Sequence, residues 1–478
     1  MTSAGASLAA ILVAVLTATP PAAADTLPLR EVVRMAIENN NTYKTSIEAV
    51  EESRLKVRES WGMLWPTLST DVSYTRQGAD AGFNADIQGR YDVKYINGQI
   101  TVNPGVFYNT LQASRNAHII AENNVRKVRS ETVVRAIQSY YRLLMAREAE
   151  AMRMESLKAL EENLKTVTIG YNKGIFSRLD YLRAQVAYSN EKTQLINAGN
   201  DALSAMADLN IQIGNDIFVR IEPDSAAMEI DKSDFASLPS DADGERRFLV
   251  AMIGEALKHR PEIIQIRKTK EMKEDTAAAA EAIYLWPSLF VSGSYGSSKS
   301  VSSASGTTPP PGPGEPGYDP ITYQFYQMMS GVRESFAPSG WNNSWNITVG
   351  ATYRWGALSP LDPSHARGKQ SRSSARQTEN QMDEFIKGVT LEIQRGYLKL
   401  KAAHVSLASQ QGNVATAEEG LKAAITQFRN GIIDNTKLIE ANVQLITART
   451  LYIQSLYDFQ VARAELNRAI GVDFFPVR

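Results

Sequence analysis

The chain has 478 residues, with 51 Lys and Arg against 52 Asp and Glu, which leaves a net charge near zero. This balance provides no basic field for nucleic acid, and the absence of cysteine excludes disulfides, thiolate metal sites and an acylated N-terminal cysteine. The histidines lie far apart without the short spacings of a metal site, so we expect ordinary helix or loop residues and no cofactor. They are His118, His259, His365 and His404.

The N-terminus has the pattern of a secretory signal peptide. The apolar run from Leu8 to Leu16 is too short to span a bilayer as a helix, and Ala22-x-Ala24 is a small-residue cleavage pattern. We therefore predict that residues 1–24 are removed before Asp25, although no Lys or Arg precedes the apolar run. No later stretch reaches 18 apolar residues, so an exported protein without a transmembrane helix is expected.

The first half begins with a polar helix over residues 29–63, which Pro66 ends because proline cannot continue a helix. Apolar and polar residues then alternate from Leu68 to Tyr74, which predicts a strand with one apolar face. A loop is predicted from Gly78 to Gly89, followed by a second β segment that changes phase near Ile96.

The second half repeats these landmarks. Leu285-Trp286-Pro287 corresponds to Leu64-Trp65-Pro66 at an offset of 221 residues, and Gly431-Ile432 corresponds to Gly174-Ile175 at an offset of 257. Self-similarity at a fixed offset indicates a tandem duplication. The difference between the offsets predicts about 36 extra residues in the second hairpin, as a loop at residues 297–344.

The last strand of the second hairpin is predicted from Trp345 to Trp355, with strict alternation and aromatic residues at both ends. This pattern is typical of an outer-membrane strand, with apolar side chains toward lipid and polar ones toward a lumen. A soluble sheet packed on one face gives the same alternation, but the signal peptide and the duplication favour the membrane. In the extracellular loop, the apolar segment Tyr323–Met329 is expected to extend a strand or to pack as a lid.

Two very long helices follow the hairpins, over residues 108–172 and 363–430. Each would be about 100 Å long, and the narrow apolar seams imply coiled-coil neighbours. Each ends at a glycine, and Ser177 and Asp434 are predicted to cap the helices that return.

Four strands per chain cannot close a membrane barrel, and lipid does not tolerate an open strand edge. The chain must therefore oligomerise, and three copies would supply twelve strands where two would supply eight. The fold class expected is mixed α and membrane β, with a duplicated unit that gives four β-strands and long coiled-coil helices per chain.

The repeated order of helix, Leu-Trp-Pro-x-Leu strand, hairpin, long helix, Gly-Ile turn and helix ending Leu-Asn-x-x-Ile-Gly resembles the TolC-type outer-membrane factor family of efflux and type I secretion channels, over residues 25–471. The resemblance implies a homotrimer with a 12-stranded β-barrel in outer-membrane lipid and a 12-helix α-barrel tunnel in the periplasm. It implies a passive export conduit that docks onto a periplasmic adaptor (membrane fusion) protein and an inner-membrane RND, ABC or MFS pump.

The same resemblance divides the chain into segments. In order they are the signal peptide at 1–24, an N-terminal equatorial segment and helix at 25–66, the first β-hairpin at 67–105, a long helix with tip turn and return helix at 106–214, an equatorial connection at 215–250, the helix of the second repeat at 251–287, the second β-hairpin at 288–357 with the extracellular loop at 297–344, a second long helix with tip turn and return helix at 358–471, and a C-terminal tail at 472–478.

The resemblance also assigns residues. Adaptor contact would fall on the tips of the helical turns, and a periplasmic gate would lie just after them. The tip residues are Gly174, Ile175, Gly431 and Ile432, and the gate residues are Asp180, Lys437 and Glu440.

The gate positions depart from the family pattern in two places. Lys437 replaces an acidic residue, so a mixed Lys/Glu ring with pairs between subunits is the alternative to an acidic ring. Asp180 lacks an arginine at the matching place near Ile433, and its partner would have to be another residue, such as Arg178 or Lys437. Solvated helical charge is the simpler interpretation of each gate residue.

Two other classes of protein fit the sequence less well. A periplasmic coiled-coil adaptor or structural protein of an export system would also carry long helical hairpins, but two Trp-Pro strand starts fit it poorly. An enzyme is not expected, because the sequence has no nucleophile motif, phosphate-binding glycine loop or metal cluster.

Overall fold

The computed structural model describes residues 26–81, 84–224, 241–304, 310–336, 340–355, 359 and 361–472. The predicted signal peptide, residues 225–240 of the predicted connection and all but the first residue of the predicted tail lie outside these ranges. The described residues form nine helices and six strands. In chain order they are β1 Thr26–Leu27, α1 Leu29–Asn39, α2 Asn41–Gly62, β2 Thr67–Ala81, β3 Asn84–Val102, α3 Pro104–Asn172, α4 Arg178–Ile213, β4 Glu222–Pro223, α5 Ala242–His259, α6 Pro261–Leu285, β5 Ser288–Ala304, α7 Pro320–Phe336, β6 Asn342–Thr352, α8 Pro363–Arg429 and α9 Asn435–Ile470.

The chain divides into two compact units, and each draws on several stretches of sequence. The helical unit comprises the described parts of Met1–Val50, Ile120–Arg267 and Asn380–Arg478. The strand unit comprises those of Glu51–Ile119 and Lys268–Glu379. Both units contain sequence from each copy of the repeat, so the copies fold together rather than as separate domains.

The helical unit has one main apolar cluster for each copy. The first joins α1, α3 and α4, and the second joins α5, α8 and α9. Their members recur every three or four residues along the long helices, which places them on one helical face. The first cluster includes Val32, Ile137, Tyr140, Leu209 and Ile213, and the second includes Ala256, Val389, Ile393, Tyr397 and Leu466.

The single helix predicted over residues 29–63 is wrong, because Asn40 separates α1 from α2. Asn40 has an extended backbone, with φ −67° and ψ 117°. Its side-chain oxygen accepts a hydrogen bond from the N–H of Tyr43 at 2.9 Å. Asparagine is a favoured N-cap because this bond satisfies an otherwise unpaired N–H of the first helical turn. A separate helix, α2, therefore begins directly after Asn40.

The helix predicted at 251–287 in the second copy is likewise two helices, α5 and α6, with Arg260 between them. Here the cause is Pro261, because the residue before a proline is driven to an extended conformation; Arg260 has ψ 122°. The buried Arg260 guanidinium forms ion pairs with Glu262 at 3.2 Å and Glu392 at 2.7 Å. These pairs connect the break to α8 within the helical unit.

The strand unit contains a four-stranded antiparallel sheet in the order β2-β3-β5-β6. The two Trp-Pro motifs stand where α2 and α6 give way to β2 and β5. The register of β3 against β5 shifts between Lys94 and Ile96, which confirms the predicted change of phase. A two-stranded sheet, β1 with β4, belongs to the helical unit.

The strands extend further than predicted. The expected loop at residues 78–89 is largely strand, in which Gly78 pairs with Ile87 and Ala81 pairs with Asn84. The ladder joins backbone groups, so polar and glycine residues continue it without an apolar face. β5 likewise runs to Ala304, inside the predicted loop at 297–344. β6 has the predicted eleven residues but begins three residues earlier, at Asn342.

The apolar segment Tyr323–Met329 does not extend a strand, because it lies inside α7; its packing as a lid stays a prediction. Pro320 occupies the first helical position, where its missing N–H costs nothing. Asp319 precedes it, and its carboxylate accepts a hydrogen bond from the N–H of Ile321 at 3.2 Å. Across the described part of the chain, no helix has both the length and the apolar character required to cross a membrane.

Candidate functional site

Both helical tips reverse the chain at a glycine in the left-handed conformation. The first tip, Gly170–Ser177, turns at Gly174 with φ +74°, and the second tip, Gln427–Asp434, turns at Gly431 with φ +68°. The N–H of the next residue donates to a carbonyl of the preceding helix, at 2.8 Å in the first tip and 2.9 Å in the second. This bond closes a Schellman turn. The residues that donate it, Ile175 and Ile432, are 71% and 70% exposed, so each tip presents an aliphatic side chain.

The predicted N-caps are confirmed, but they differ in completeness. Ser177 Oγ accepts from the N–H of Asp180, and the Asp180 carboxylate accepts from the N–H of Ser177, both at 3.1 Å. These reciprocal bonds form a capping box at the start of α4. At the start of α9, Asp434 accepts from the N–H of Lys437 at 3.0 Å, and the bond in return is missing because lysine has no acceptor.

The two tips pack on each other through aromatic rings. Phe176 stacks on Phe428 with ring centroids 5.8 Å apart and planes 12° apart. Gly170 lies against this contact, since a Cβ there would come within 2.2 Å of the Phe176 ring. Val167 and Ala184 complete a small buried cluster around Phe428. The tips are therefore one packed structure in the helical unit, with the two isoleucines outside its core.

The predicted gate residues are paired along their own helices. The Asp180 carboxylate accepts from Ser177 Oγ at 2.6 Å as well as from its N–H. Lys437 Nζ lies 2.9 Å from the Glu440 carboxylate, and this hydrogen bond raises the pKa of Lys437. Among the described residues, no ion pair joins Asp180 to Arg178 or to Lys437. A ring formed between chains stays a prediction.

Three polar links between helices near the tips were missed from the sequence. Asn163 donates to Asn435 at 2.7 Å, Asn442 donates to Ser156 at 2.9 Å, and Arg183 donates to Thr436 at 2.8 Å. The first two join α3 to α9, and on each helix the paired positions are seven residues apart. Polar residues at a heptad interval are a signal for buried polar layers in a coiled coil.

The four histidines all lie in helices, one of the two locations, helix or loop, that the sequence predicted. His118 is hydrogen-bonded to Ser53 at 2.9 Å, and His365 stacks on Tyr284 with ring centroids 4.0 Å apart. In the ranges that the structure describes, no three histidine, aspartate or glutamate residues are grouped as metal ligands.

The four-stranded sheet has one apolar face. Tyr295 on β5 lies opposite Trp345 on β6, and Val291 lies opposite Val349, so large side chains align across strands. On β2 and β3 the rings of Tyr74 and Tyr91 approach to 4.6 Å between centroids. These side chains are exposed, and a contiguous apolar surface of this kind marks contact with a partner or a membrane. Further exposed members are Leu68, Val72, Ile96, Leu289 and Ile347.

The opposite face of the same sheet is polar. Asn97 on β3 donates to Asp71 on β2 at 3.0 Å, and Ser294 on β5 is hydrogen-bonded to Asn346 on β6. Side chains alternate between the faces with a period of two, so one face is suited to lipid and the other to water. This confirms the alternation predicted for the strands.

Long helices that reverse at exposed tips, together with a sheet that has one lipid-compatible and one water-compatible face, define an outer-membrane channel protein. The model of the outer membrane efflux protein family matches residues 32–215 and 252–472, and the chain belongs to this family. No curated protein matches the sequence.

Solved channel structures share the fold across most of the chain. The Campylobacter jejuni CmeC outer membrane channel is 15% identical with a TM-score of 0.71, over 93% of this chain and 85% of that one. The open state of the Neisseria gonorrhoeae MtrE outer membrane channel is 16% identical with a TM-score of 0.69, over 93% and 89%. The outer-membrane channel OprN is 15% identical with a TM-score of 0.71, over 93% and 90%.

Membership of this family gives the general function of the protein. The protein is an outer-membrane efflux channel protein, located in the outer membrane with its helical part in the periplasm. The family is one of transport channels and not of enzymes.

Proposed function

We propose that three copies of this chain form the outer-membrane exit channel of a tripartite efflux system, with a 12-stranded β-barrel and a 12-helix periplasmic tunnel. The observation that carries the proposal is the two-faced sheet. Within the described strands, β2 and β6 each pair with a single neighbour, which leaves one edge of each open.

The open edges favour assembly. In hydrocarbon an unpaired backbone N–H or C=O costs several kcal/mol, so a sheet in lipid must close on itself. Four strands are too few, since the smallest membrane barrels use about eight. Pairing β2 of one copy with β6 of the next would close the ring without a new strand, and three copies give a polar lumen wide enough for cargo.

The exposed isoleucines support a docking role for the tips. Ile175 and Ile432 occupy equivalent positions in the two copies and have nearly equal exposure, 71% and 70%. With Gly174 and Gly431, which set the turns, they would contact the hairpin of a periplasmic adaptor that links the channel to an RND, ABC or MFS pump. The family description favours efflux over type I secretion.

Conductance and oligomeric state test the channel. Purified protein should be a trimer in detergent and should conduct ions in a planar bilayer. Replacing Lys437 or Glu440 with glutamine should change its open probability or cation selectivity if they form a ring between subunits. A monomer, or a trimer that never conducts, would contradict the proposal.

Crosslinking tests the docking residues separately. A photo-reactive amino acid at position 175 or 432 should capture a periplasmic adaptor, identified by mass spectrometry, in cells that express the full chain. Ile196 on α4 is a matched control, because it is an exposed isoleucine away from the tips. Equal capture at position 196 would remove the tips as the specific site.

A further inference from the structure

Helix α7 lies in the long connection between β5 and β6 and has an exposed apolar face. Ile321, Phe325 and Met328 are 79%, 59% and 60% exposed, and the spacing of four and three residues places them on one side of the helix. Gln324 and Gln327 lie among the polar residues of the remaining surface. No charged residue occurs in the sequence between Asp319 and Arg333.

The position of the helix limits what this face can contact. Only five residues separate Phe336 from Asn342 at the start of β6, so the end of α7 lies within about 20 Å of that strand. Trp345, three residues into β6, is an exposed aromatic residue on the apolar face of the sheet. Aromatic residues of this kind lie at membrane–water interfaces. The helix is thus tethered near the level at which the apolar face of the sheet begins.

The chemistry of the neighbouring surfaces decides between lipid and lumen. The polar face of the sheet carries hydrogen-bonded groups such as Asn97, Asp71 and Ser294. Packing three large apolar side chains against them would remove water from the Asp71 carboxylate and from polar groups whose hydrogen-bonding capacity is only partly used within the sheet, which costs free energy. The apolar face of the sheet continues toward lipid. Tyr323 and Tyr326 lie on the side of α7 opposite Ile321, Phe325 and Met328 and are half-buried, whereas the apolar side of the helix is exposed.

We propose that α7 is an interfacial membrane helix, which inserts Ile321, Phe325 and Met328 into the headgroup–acyl boundary of the outer leaflet beside its own strand unit. The inference rests on the proposed placement of the sheet in lipid. An apolar face without charged neighbours binds a membrane because it buries apolar surface area, and not because it is attracted to anionic headgroups. The contact should therefore be insensitive to salt.

A single labelled cysteine tests the proposal, because the natural sequence has none. Phe325→Cys, Gln327→Cys and Val349→Cys each receive an environment-sensitive fluorophore, and the full-length protein is reconstituted in phosphatidylcholine vesicles. The vesicles carry a nitroxide at a shallow acyl position, since interfacial helices lie about 5–10 Å into the boundary. Aqueous iodide is the second quencher. Position 349 reports the sheet, and position 327 reports the polar side of α7.

The label at position 325 should emit at shorter wavelength than the label at position 327, lose most of its emission to the nitroxide lipid and resist iodide, with no change at high salt. Resistance to both quenchers at position 325 would mean that protein covers the face, and iodide quenching would mean that water does; either result overturns the inference. Loss of nitroxide quenching at position 349 as well would instead show that the proposed placement of the sheet had failed, and the inference with it.

Discussion

The two copies of the repeat carry a fully buried tyrosine at equivalent positions of α3 and α8, 257 residues apart. Only the tyrosine of the first copy makes hydrogen bonds of normal geometry through its hydroxyl. Tyr140 donates to the carbonyl of Leu27 at 3.2 Å and accepts from the N–H of Asp224 at 3.0 Å. The hydroxyl of Tyr397 makes no hydrogen bond of normal geometry within the described residues, where the Glu245 carboxylate is close enough to interact with it. Burial raises the pKa of both tyrosines, that of Tyr140 to about 12, and at Tyr397 the charge of Glu245 adds to it.

This difference shows what the duplication preserves. The ring fills the same place in each apolar cluster, so packing is common to both copies. The hydrogen bonds depend on what each copy places beside the ring, and only the first has the β1–β4 strand pair there. The same distinction applies at the tips, where the turn is shared and the polar contacts are not. Paired substitutions at equivalent positions can therefore separate packing from hydrogen bonding.

The largest effect is expected at the equivalent aromatic positions of the tips, Phe428 and Tyr171. Phe428 is 9% exposed and stacks on Phe176, whereas Tyr171 is 38% exposed and stacks on Tyr181. Phe428→Ala should destabilise the tips by about 3 kcal/mol, as expected for a buried phenylalanine. Tyr171→Ala should cost about 1 kcal/mol, close to the value of an exposed aromatic pair.

Amide hydrogen exchange of the detergent-solubilised protein measures this difference as the free energy of local opening at each tip. Amides of the sheet in the strand unit provide the internal control, since they should be unchanged in both variants. Equal effects of the two substitutions would contradict the unequal burial.

Much of the local structure at these positions follows from sequence. The glycines at 174 and 431, the caps Ser177 and Asp434 and the phase change near Ile96 are read from nearest neighbours, because turns, caps and alternation are local rules. The break at Asn40 escaped prediction because asparagine is only mildly unfavourable inside a helix, and its role as an N-cap is seen only in the bond that its side chain accepts from the N–H of Tyr43.

What could not be predicted depends on the register of distant segments. The pairing of Asn163 with Asn435 and of Phe176 with Phe428 requires the alignment of one helix hairpin against the other, which no local pattern encodes. The extension of β2 and β3 past Gly78 depends in the same way on the partner strand. The candidate tip residues came from a family resemblance, and their exposure became known only from the structure.

The next effect concerns the two buried hydroxyls. Tyr140→Phe leaves the N–H of Asp224 and the carbonyl of Leu27 without their partner, which should cost about 1–2 kcal/mol. Tyr397→Phe removes a hydroxyl that makes no hydrogen bond of normal geometry among the described residues and lies near the Glu245 charge, so the stability should be unchanged or slightly higher.

Thermal unfolding in detergent gives the global comparison for these two variants, and exchange of the Asp224 amide reports the lost bond directly. The ring stays in place in both, so each is the packing control for the other. A loss in Tyr397→Phe as large as that in Tyr140→Phe would show that the second hydroxyl has a partner in the assembled protein.

A smaller effect is expected at the caps. Ser177→Ala removes both bonds that Ser177 Oγ makes in the capping box, and should destabilise the start of α4 by about 1 kcal/mol. Ser177→Thr retains the hydroxyl and should restore most of the loss. Exchange rates of the first-turn amides of α4 measure the change, while those of α9, capped by Asp434, should stay the same. Faster exchange at both helices would point to disruption of the packed tips and not to loss of one cap.

The smallest effect is expected at Lys437, which occupies the position equivalent to Asp180. A lysine there cannot accept the N–H of Asp434, and its positive charge lies near the positive end of the helix dipole. Lys437→Gln supplies an acceptor and removes the charge, at the expense of the ion pair with Glu440. Because that pair is exposed and contributes little, first-turn amides of α9 should exchange slightly more slowly, by less than Ser177→Ala accelerates those of α4. Lys437→Met is the control, since it removes the charge without adding an acceptor. If methionine slows exchange as much as glutamine does, the interaction with the helix dipole distinguishes the two tips, and the missing capping bond does not. If glutamine does not slow exchange, neither the dipole nor the capping bond explains the difference. The ion pair with Glu440 would then contribute more than its exposure suggests.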